Sequence, residues 1–218
     1  RGTAVVPPTL PVAPTSVPPT PTPAPTLAPL PEILADGFDQ PDSGFPPQPE
    51  GREGSGYQNG EYAIVVPDPE GLVIAERAGS ESIGGDLAIE VDARAAGPAA
   101  GGSYGLVLRR QSTAGAFNQY FVLIDPNAGT VRLIRWSGTA RLELIPPTLH
   151  EAIARGEAPN HLAVNVRGGQ FTIQINGAQV AQATDPAPLG PGRIALRADA
   201  GAGPITVRFD NLKVRPPR

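Results

Sequence analysis

The sequence predicts an antiparallel two-sheet β-sandwich, or jelly roll, with one short helix, preceded by an extended proline-rich segment. Three observations lead to this fold class. Apolar and polar residues alternate over many short segments, Gly- and Asn-containing turns separate those segments, and no charged side chain lies between Gly2 and Pro31. The chain has 218 residues, with 28 prolines, 26 glycines and no cysteine, and its charged part has the size of one domain.

The first segment is rich in Pro, Thr and Ala, and eleven of the prolines precede residue 32. Proline fixes φ and removes amide donors, so polyproline II is the expected conformation. We therefore expect an extended linker or docking arm over residues 1–32 and a folded domain over residues 33–218. The segment is either a spacer or an arm that packs on a neighbouring subunit.

The folded part is dominated by an apolar period of two, which is the spacing of half-buried strands. Residues Leu87, Ile89 and Val91 alternate with more polar neighbours. The same pattern recurs at 162–166, 171–175, 194–198 and 205–209, and further strands are predicted at about 61–66, 72–78, 103–110, 117–124, 130–136 and 140–145. The pairs Asn59-Gly60 and Asn176-Gly177 predict tight hairpin turns.

Two local features interrupt the strand pattern. Thr148 and Glu151 have the spacing of a capping box, and Gly156 supplies a stop, so we expect a short helix there. The apolar positions also change phase at Asp210-Asn211, which predicts a β-bulge. A bulge there would turn Asp210 inward, where the carboxylate is either hydrogen-bonded or bound to a structural calcium ion.

Composition excludes several functional classes. Without cysteine there is no disulfide framework, thiolate metal site or cysteine nucleophile, and two histidines cannot form a multi-histidine metal centre. A formal charge of −4 argues against nucleic acid as a partner. No apolar run is long enough to span a membrane.

The order of the strand segments carries a resemblance. The segments YQNGEYAIVV (57–66), DLAIEVDARAAG (86–97), NQYFVLIDPNAGTVRLIRW (118–136) and VRFDNLKV (207–214) resemble the concanavalin A-like lectin/glucanase superfamily. Within it they are similar to the 3-keto-disaccharide hydrolase-like (laminarinase-like) domains of extracellular bacterial proteins. The resemblance implies a curved sandwich that binds carbohydrate on its concave face and often holds a structural calcium.

Laminarinase-type members carry Glu-x-Asp-x-x-Glu on one strand, and retaining hydrolysis needs two carboxyl groups about 5–5.5 Å apart. Here Glu90 and Asp92 match the first two positions, whereas Ala95 stands where the acid/base would be. The resemblance therefore does not extend to the complete catalytic set. The two carboxylates are expected on a solvated strand face, where outward arginines of neighbouring strands pair with them.

Sugar recognition combines an aromatic platform with planar polar side chains. The candidate ligand-binding residues are Trp136, Arg132, Tyr120, Glu90 and Asp92, with Asp210 as a possible calcium ligand. We expect a non-catalytic extracellular or cell-surface module that binds carbohydrate or a cell-surface polymer. The alternatives are a structural subunit that self-assembles through residues 1–31, and a sugar-active hydrolase.

Overall fold

The computed structural model describes residue 2 and residues 31–47, 55–81, 83–97, 101–113 and 115–217. Nearly all of the predicted linker or docking arm, and with it the predicted self-assembly through residues 1–31, lies outside these described residues. The predicted fold class is confirmed, because the described residues form two antiparallel β-sheets. The strands are β1 (Leu34–Asp36), β2 (Gly56–Gln58), β3 (Glu61–Val66), β4 (Leu72–Glu76), β5 (Leu87–Ala95), β6 (Gly102–Thr113), β7 (Ala116–Asp125), β8 (Thr130–Ser137), β9 (Ala140–Leu149), β10 (Asn160–Arg167), β11 (Gln170–Ile175), β12 (Ala178–Thr184), β13 (Arg193–Ala200) and β14 (Ile205–Arg215).

The two sheets differ in strand order. The eight-stranded back sheet runs β12-β11-β10-β5-β14-β3-β2, with β1 also paired to β14. The six-stranded front sheet runs β4-β13-β6-β7-β8-β9. Side chains of alternate residues meet between the sheets and form one core, which includes Tyr62, Leu106, Tyr120, Phe171 and Phe209. The remaining alternate positions form two outer surfaces, called here the front face and the back face.

The hairpin turns follow the sequence prediction. Asn59 and Gly60 both have positive φ, 55° and 76°, as do Asn176 and Gly177 at 52° and 82°. Two successive positive values match the right-handed twist of the flanking strands, which is why Asn-Gly is favoured there. These turns fix which residues face each other across the β2–β3 and β11–β12 pairs.

The predicted bulge in β14 is confirmed. Asp210 pairs with Asp92, but Lys213 pairs with Glu90, so one extra residue lies in β14. Asn211 has φ 53° at this position. A second bulge, in β6, places Arg109 at φ 51°. The Arg109 guanidinium there donates to Asp86 (2.8 Å) and to the Leu189 carbonyl (2.7 Å).

The predicted helix near Thr148 is wrong, since none of the described residues is helical. Thr148 lies in β9 and its hydroxyl donates to the Pro146 carbonyl (2.8 Å) instead of accepting from a helical amide. His150 Nδ1 accepts from the Ala152 amide (3.1 Å), and Asn160 Oδ1 accepts from the Ala154 amide (2.8 Å). In a helix the Ala152 and Ala154 amides would donate to backbone carbonyls four residues earlier. Here they donate to the two side chains instead, and the segment after β9 forms a turn. Accordingly, no membrane-spanning apolar helix occurs in the described part of the chain.

Candidate functional site

The candidate residues separate into three locations. Trp136 and Arg132 lie on the front face, Glu90, Asp92 and Asp210 lie on the back face, and Tyr120 lies in the core. The structure therefore does not bring the predicted set together.

The position of Trp136 and Arg132 follows from alternation along β8. Val131 and Leu133 are fully buried between the sheets, so Arg132, Ile134 and Trp136 point to the front face. Trp136 pairs with Gln119 on β7 and with Arg141 on β9. The indole is only partly buried and packs against a small apolar cluster beneath it. Two of the predicted residues thus share one surface.

That cluster forms the floor of the front face. Unlike most outward strand positions, its members are almost completely covered: Val107, Phe121, Leu123, Ile134 and Ala195 are between 0 and 4 % exposed. Ile74 and Trp136 pack at its margin. Because apolar residues point outward as well as inward here, the front sheet has a second, smaller core on its outer side.

A cleft of about 370 Å³ lies above this floor and is called here the front cleft. Aromatic and cationic side chains line most of it, among them Arg110, Phe117, Arg132, Trp136, Arg141 and Arg197. The amide of Gln119 is a further polar group in the lining. Clefts of this volume accept small-molecule or sugar-sized ligands.

The arginines of the front cleft are held in place by rings and by carboxylates. The guanidinium carbon of Arg110 lies 3.8 Å from the Phe117 ring centroid, and that of Arg197 lies 3.9 Å from the Phe121 centroid. Arg197 Nε donates to Asp199 (2.7 Å). Stacking fixes the plane of each guanidinium, so its hydrogen-bond edge has a defined direction.

Two of these arginines have lowered pKa values. Burial is the main cause for Arg132, and repulsion from Arg141 and Arg197 lowers its pKa further, while Asp199 acts in the opposite direction. Burial likewise lowers the pKa of Arg110, with Glu76 opposing the shift. The arginines remain charged at neutral pH, and their positive charges lie close enough to repel one another.

Tyr120 is not a surface residue, which corrects its prediction as a ligand contact. Its side chain is 0 % exposed. The hydroxyl donates to Asp185 Oδ2 (2.6 Å) and accepts from the Leu189 amide (2.9 Å). Burial, together with the bond to Asp185, raises the pKa of Tyr120 to about 12. The residue therefore stabilises the interior of the sandwich and cannot touch a ligand on either face.

Glu90 and Asp92 do share a face, as predicted from their spacing on β5, but both carboxylates are engaged. Glu90 accepts from Arg215 (2.8 Å). Asp92 lies 2.7 Å from His161 Nδ1, and it accepts from the side-chain Nδ2 of Asn211 (2.9 Å). Ala95, which stands at the acid/base position, is fully buried and faces the core. The arrangement is that of a cross-strand ion-pair network.

Asp210 lies beside Asp92 on the back face, so the bulge does not turn it into the core as expected. Its carboxylate accepts from the Asn211 amide (2.6 Å). Burial is the main cause that raises its pKa; the hydrogen bond from the Asn211 backbone amide opposes the shift, and repulsion from Asp92, Glu61 and Asp39 adds to it. Among the described residues, no group of three or more histidine, aspartate and glutamate side chains is arranged to hold a metal ion. The calcium ligand role of Asp210 stays a prediction.

The back face also has a groove, of about 210 Å³, lined by Ala88, Glu90, Asn165, Gln174 and Arg215 among others. It contains no aromatic side chain and is smaller than the front cleft. The apolar floor of the front cleft was not predicted, because Val107 and Phe121 stand in apolar runs, where alternation does not show which side of the strand is the interior. The signal that could have revealed it is the continuous apolar run of β7 from Tyr120 to Ile124, which indicates burial on both sides of a strand.

Comparison with known families gives one match to the chain. The model of a family described as 3-keto-alpha-glucoside-1,2-lyase-like domain matches residues 80–215. This range includes every strand of the front sheet except β4, and most of the back sheet. A comparison with curated proteins finds no matching relative.

Solved structures of the same fold include binding modules and enzymes. The carbohydrate-binding module CBM66 from Bacillus subtilis is 20% identical with TM-score 0.56, over 68% of this chain and 84% of that one. The Bacillus licheniformis β-glucanase is 14% identical with TM-score 0.59, over 85% and 98%. A prokaryotic β-1,3-1,4-glucanase from a mouse hindgut metagenome is 16% identical with TM-score 0.57, over 84% and 98%. At these identities the likeness shows the jelly-roll fold alone.

Proposed function

The chain belongs to the 3-keto-alpha-glucoside-1,2-lyase-like domain family, and on that premise we propose that it is a non-catalytic carbohydrate-binding module whose ligand occupies the front cleft. The observation that carries this proposal is the placement of Trp136 beside planar polar side chains in one surface cleft. The structural similarity to a carbohydrate-binding module supports the substrate class.

The chemistry of the front cleft suits a sugar. A pyranose ring presents C–H groups on its faces and hydroxyl groups around its edge, so it packs on an aromatic ring and hydrogen-bonds in its own plane. Trp136 offers an indole at the margin of the floor, and Gln119 and Arg132 offer polar groups beside it. Arginine donates in pairs, which fixes the orientation of a bound oxygen-rich ligand.

The absence of catalysis is proposed from the back face. Retaining glycosidases need a free nucleophile and a second carboxyl group as acid/base. Glu90 is held by Arg215, and the position of the expected acid/base is occupied by the buried Ala95. Neither carboxylate of β5 is near the front cleft, because β5 belongs to the other sheet.

The proposal is tested by affinity gel electrophoresis of the full chain against a panel of soluble polysaccharides. We expect retardation by at least one polysaccharide and binding about tenfold weaker for Trp136→Ala, because one sugar–indole contact is lost. Gln174→Ala is the matched control, since it truncates a side chain in the groove of the back face. No retardation by any polysaccharide, or a loss of binding in Gln174→Ala alone, contradicts the proposal.

A hydrolase is the second candidate, favoured by the paired carboxylates of β5 and by the similarity to glucanases. Its test is release of reducing sugar from the polysaccharide that the chain binds. The wild-type chain is expected to release none. Activity that Glu90→Gln abolishes would establish the hydrolase and refute the non-catalytic proposal.

The proposal also includes an extracellular or cell-surface location, with residues 1–32 as the linker to the folded domain. Its support is the composition of the first segment, which lacks charged residues between Gly2 and Pro31, and the proposed carbohydrate ligand. Fractionation of the source cells is the direct test, and recovery of the chain in the cytoplasm would contradict it.

A further inference from the structure

Cations cover both phenyl rings that line the front cleft. Arg110 lies over the Phe117 ring and Arg197 lies over the Phe121 ring, both within 4 Å of the ring centroid. A ligand that enters the cleft therefore meets the edges of guanidinium groups before it meets a phenyl face. Of the three aromatic side chains in the cleft lining, Trp136 alone has no arginine of the described residues stacked on it. A neutral sugar ring can therefore stack only on Trp136 within this lining, whereas several guanidinium groups can donate hydrogen bonds to a ligand.

The lining of the front cleft is positively charged. It contains Arg110, Arg132, Arg141 and Arg197 and no carboxylate. The carboxylates that contact these arginines lie outside the lining, and there are fewer of them: Glu76, Glu143 and Asp199. Asp199 serves two arginines, at 2.7 Å from Arg197 and 3.7 Å from Arg132.

Part of the donor capacity of these arginines is unused within the described residues. Among the residues that the structure describes, Arg197 bonds only through Nε, so both terminal nitrogens of its guanidinium have no partner there. Within the same part of the chain Arg132 donates only through one terminal nitrogen, to Ser103 Oγ (3.1 Å) and toward Asp199. Two terminal nitrogens of one planar group are the donor pair that a carboxylate or a sulfate accepts in a bidentate contact.

Electrostatic repulsion among the arginines of the lining also favours an anionic ligand. Arg132 is half-buried, and Arg141 and Arg197 both lower its pKa. An anion placed among the three would relieve this repulsion, whereas a neutral hydroxyl group would not.

We propose that the front cleft selects glycans that carry anionic groups, either carboxylates or sulfates, and that Arg132 and Arg197 contact these groups. This inference rests on the proposed carbohydrate-binding function and adds the charge class of the ligand. The shared chemistry is an anionic oxygen group on a sugar ring, which the arginines bind from the edge while Trp136 packs on the ring.

The test uses two matched pairs of polymers in affinity gel electrophoresis. Carboxymethylcellulose is compared with hydroxyethylcellulose, and dextran sulfate with dextran, so that each pair shares a backbone and differs in charge. We expect at least tenfold tighter binding to the charged member of one or both pairs. Which pair responds distinguishes a carboxylate from a sulfate as the natural anion.

Two variants assign the effect to the front cleft. Arg132→Gln should weaken binding to the charged polymer at least tenfold, because a charge-assisted hydrogen bond is lost. Arg141→Gln, which changes a more exposed arginine of the same lining, should weaken it less. Arg167→Gln removes the same charge from an exposed position on the back face and should leave binding unchanged. Thermal unfolding of each variant shows that it remains folded.

The outcomes separate the two proposals. Equal binding to the charged and neutral members, lost in Trp136→Ala, would overturn the anionic class and retain the carbohydrate function. No binding to any polysaccharide would overturn both. Equal binding to polyglutamate or to single-stranded DNA would also overturn the inference, because the cleft would then recognise charge without a sugar.

Discussion

The front and back faces of the sandwich both carry several arginines, but their environments differ. On the back face Arg94 contacts both carboxylate oxygens of Glu61 at 3.0 Å, and Arg215 bridges Glu90 and Glu32 at 2.8 Å each. On the front face Arg110 and Arg197 lie over phenyl rings. Both faces pair arginine with carboxylates, but only the front face also stacks described arginines on phenyl rings.

The difference follows from the residues that point outward on neighbouring strands. The outward positions of β5 and β10 are largely polar or small, so arginines of the back face find carboxylates on nearby strands: Arg215 on β14 pairs with Glu90 on β5, and Arg94 on β5 pairs with Glu61 on β3. In the centre of the front sheet the outward residues are Val107, Phe121 and Ile134. An arginine above such residues keeps its aliphatic part on the apolar surface and its charged end at the solvent. The front face can therefore offer a ligand both an apolar surface for packing and charged groups for hydrogen bonding.

The largest expected effect tests whether the front floor is a packed core. Phe121 is 4 % exposed, and we expect Phe121→Ala to lower the free energy of unfolding by about 3 kcal/mol, because it removes a buried ring and leaves a cavity. Urea denaturation measures the change. The control Gln174→Ala, on the exposed back face, should alter stability by less than about 0.5 kcal/mol. A loss below about 1 kcal/mol for Phe121→Ala would mean that the floor contributes little packing.

The neighbouring residue on β7, Tyr120, points the other way and separates the interior from the front face. Tyr120→Phe should cost about 2 kcal/mol at neutral pH, because Asp185 loses its hydroxyl donor and the Leu189 amide loses its acceptor. Binding in the front cleft should not change. A variant that binds more weakly while unfolding at the wild-type urea concentration would contradict the buried position of this side chain.

The same variant has an expected pH dependence. The pKa of Tyr120 is raised to about 12, above its value of about 10 in the unfolded chain. The phenol therefore contributes stability that is fully present below pH 10 and is lost as the pH rises toward 12. Between these limits the stability difference between wild type and Tyr120→Phe should narrow. A difference that stays constant across this range would contradict the raised pKa.

A smaller effect tests the ion pairs of the back face. Glu61 pairs with Arg94 (3.0 Å) and lies 3.5 Å from Arg208. Both partners are partly exposed, so Glu61→Gln should cost about 1 kcal/mol at low salt and less in 1 M NaCl, where the pairs are screened. Urea denaturation at both salt concentrations measures this. Glu143→Gln, at the more exposed front-face pair with Arg141, should cost less; an equal cost would remove the proposed difference between the faces.

The smallest expected effect is a gain in stability, for a substitution at Asp210. Burial and the nearby carboxylates raise the pKa of Asp210, so the ionised form destabilises the folded chain at neutral pH. Asp210→Asn should therefore raise the melting temperature slightly at pH 7, and the gain should disappear as the pH falls below the ordinary aspartate value of 3.8. Thermal unfolding at pH 7 and pH 3 measures the difference. A melting temperature that falls at pH 7 would show that Asp210 is held by favourable contacts.

Local sequence patterns were sufficient for much of the fold. The Asn59-Gly60 and Asn176-Gly177 turns, the strands of alternating residues and the bulge after Asp210 all depend on neighbours in the chain, and each is confirmed. The helix predicted at Thr148 failed because Asn160, twelve residues further along, accepts the Ala154 amide. Capping patterns do not report such competing partners.

The candidate site was predicted less completely, for a physical reason. Period-two alternation shows that Tyr120 and Phe121 point to opposite sides of β7, but when both sides are apolar it does not show which side is the interior. Tyr120 is therefore predicted as a ligand contact, whereas the structure places it in the interior and turns Phe121 outward. Trp136 and Arg132 were placed on one face correctly, since β8 alternates in a simple way until its end.

The sequence by itself determined a β-sandwich with tight hairpins, one outward pair of carboxylates on β5 and an incomplete catalytic set, because these depend on residue type and spacing along one strand. Only the tertiary structure decided which faces these residues share. It placed Trp136 and Arg132 in the front sheet and Glu90 and Asp92 in the back sheet. Strand order sets this arrangement, and strand order arises from pairing between segments far apart in the chain, which no local pattern encodes.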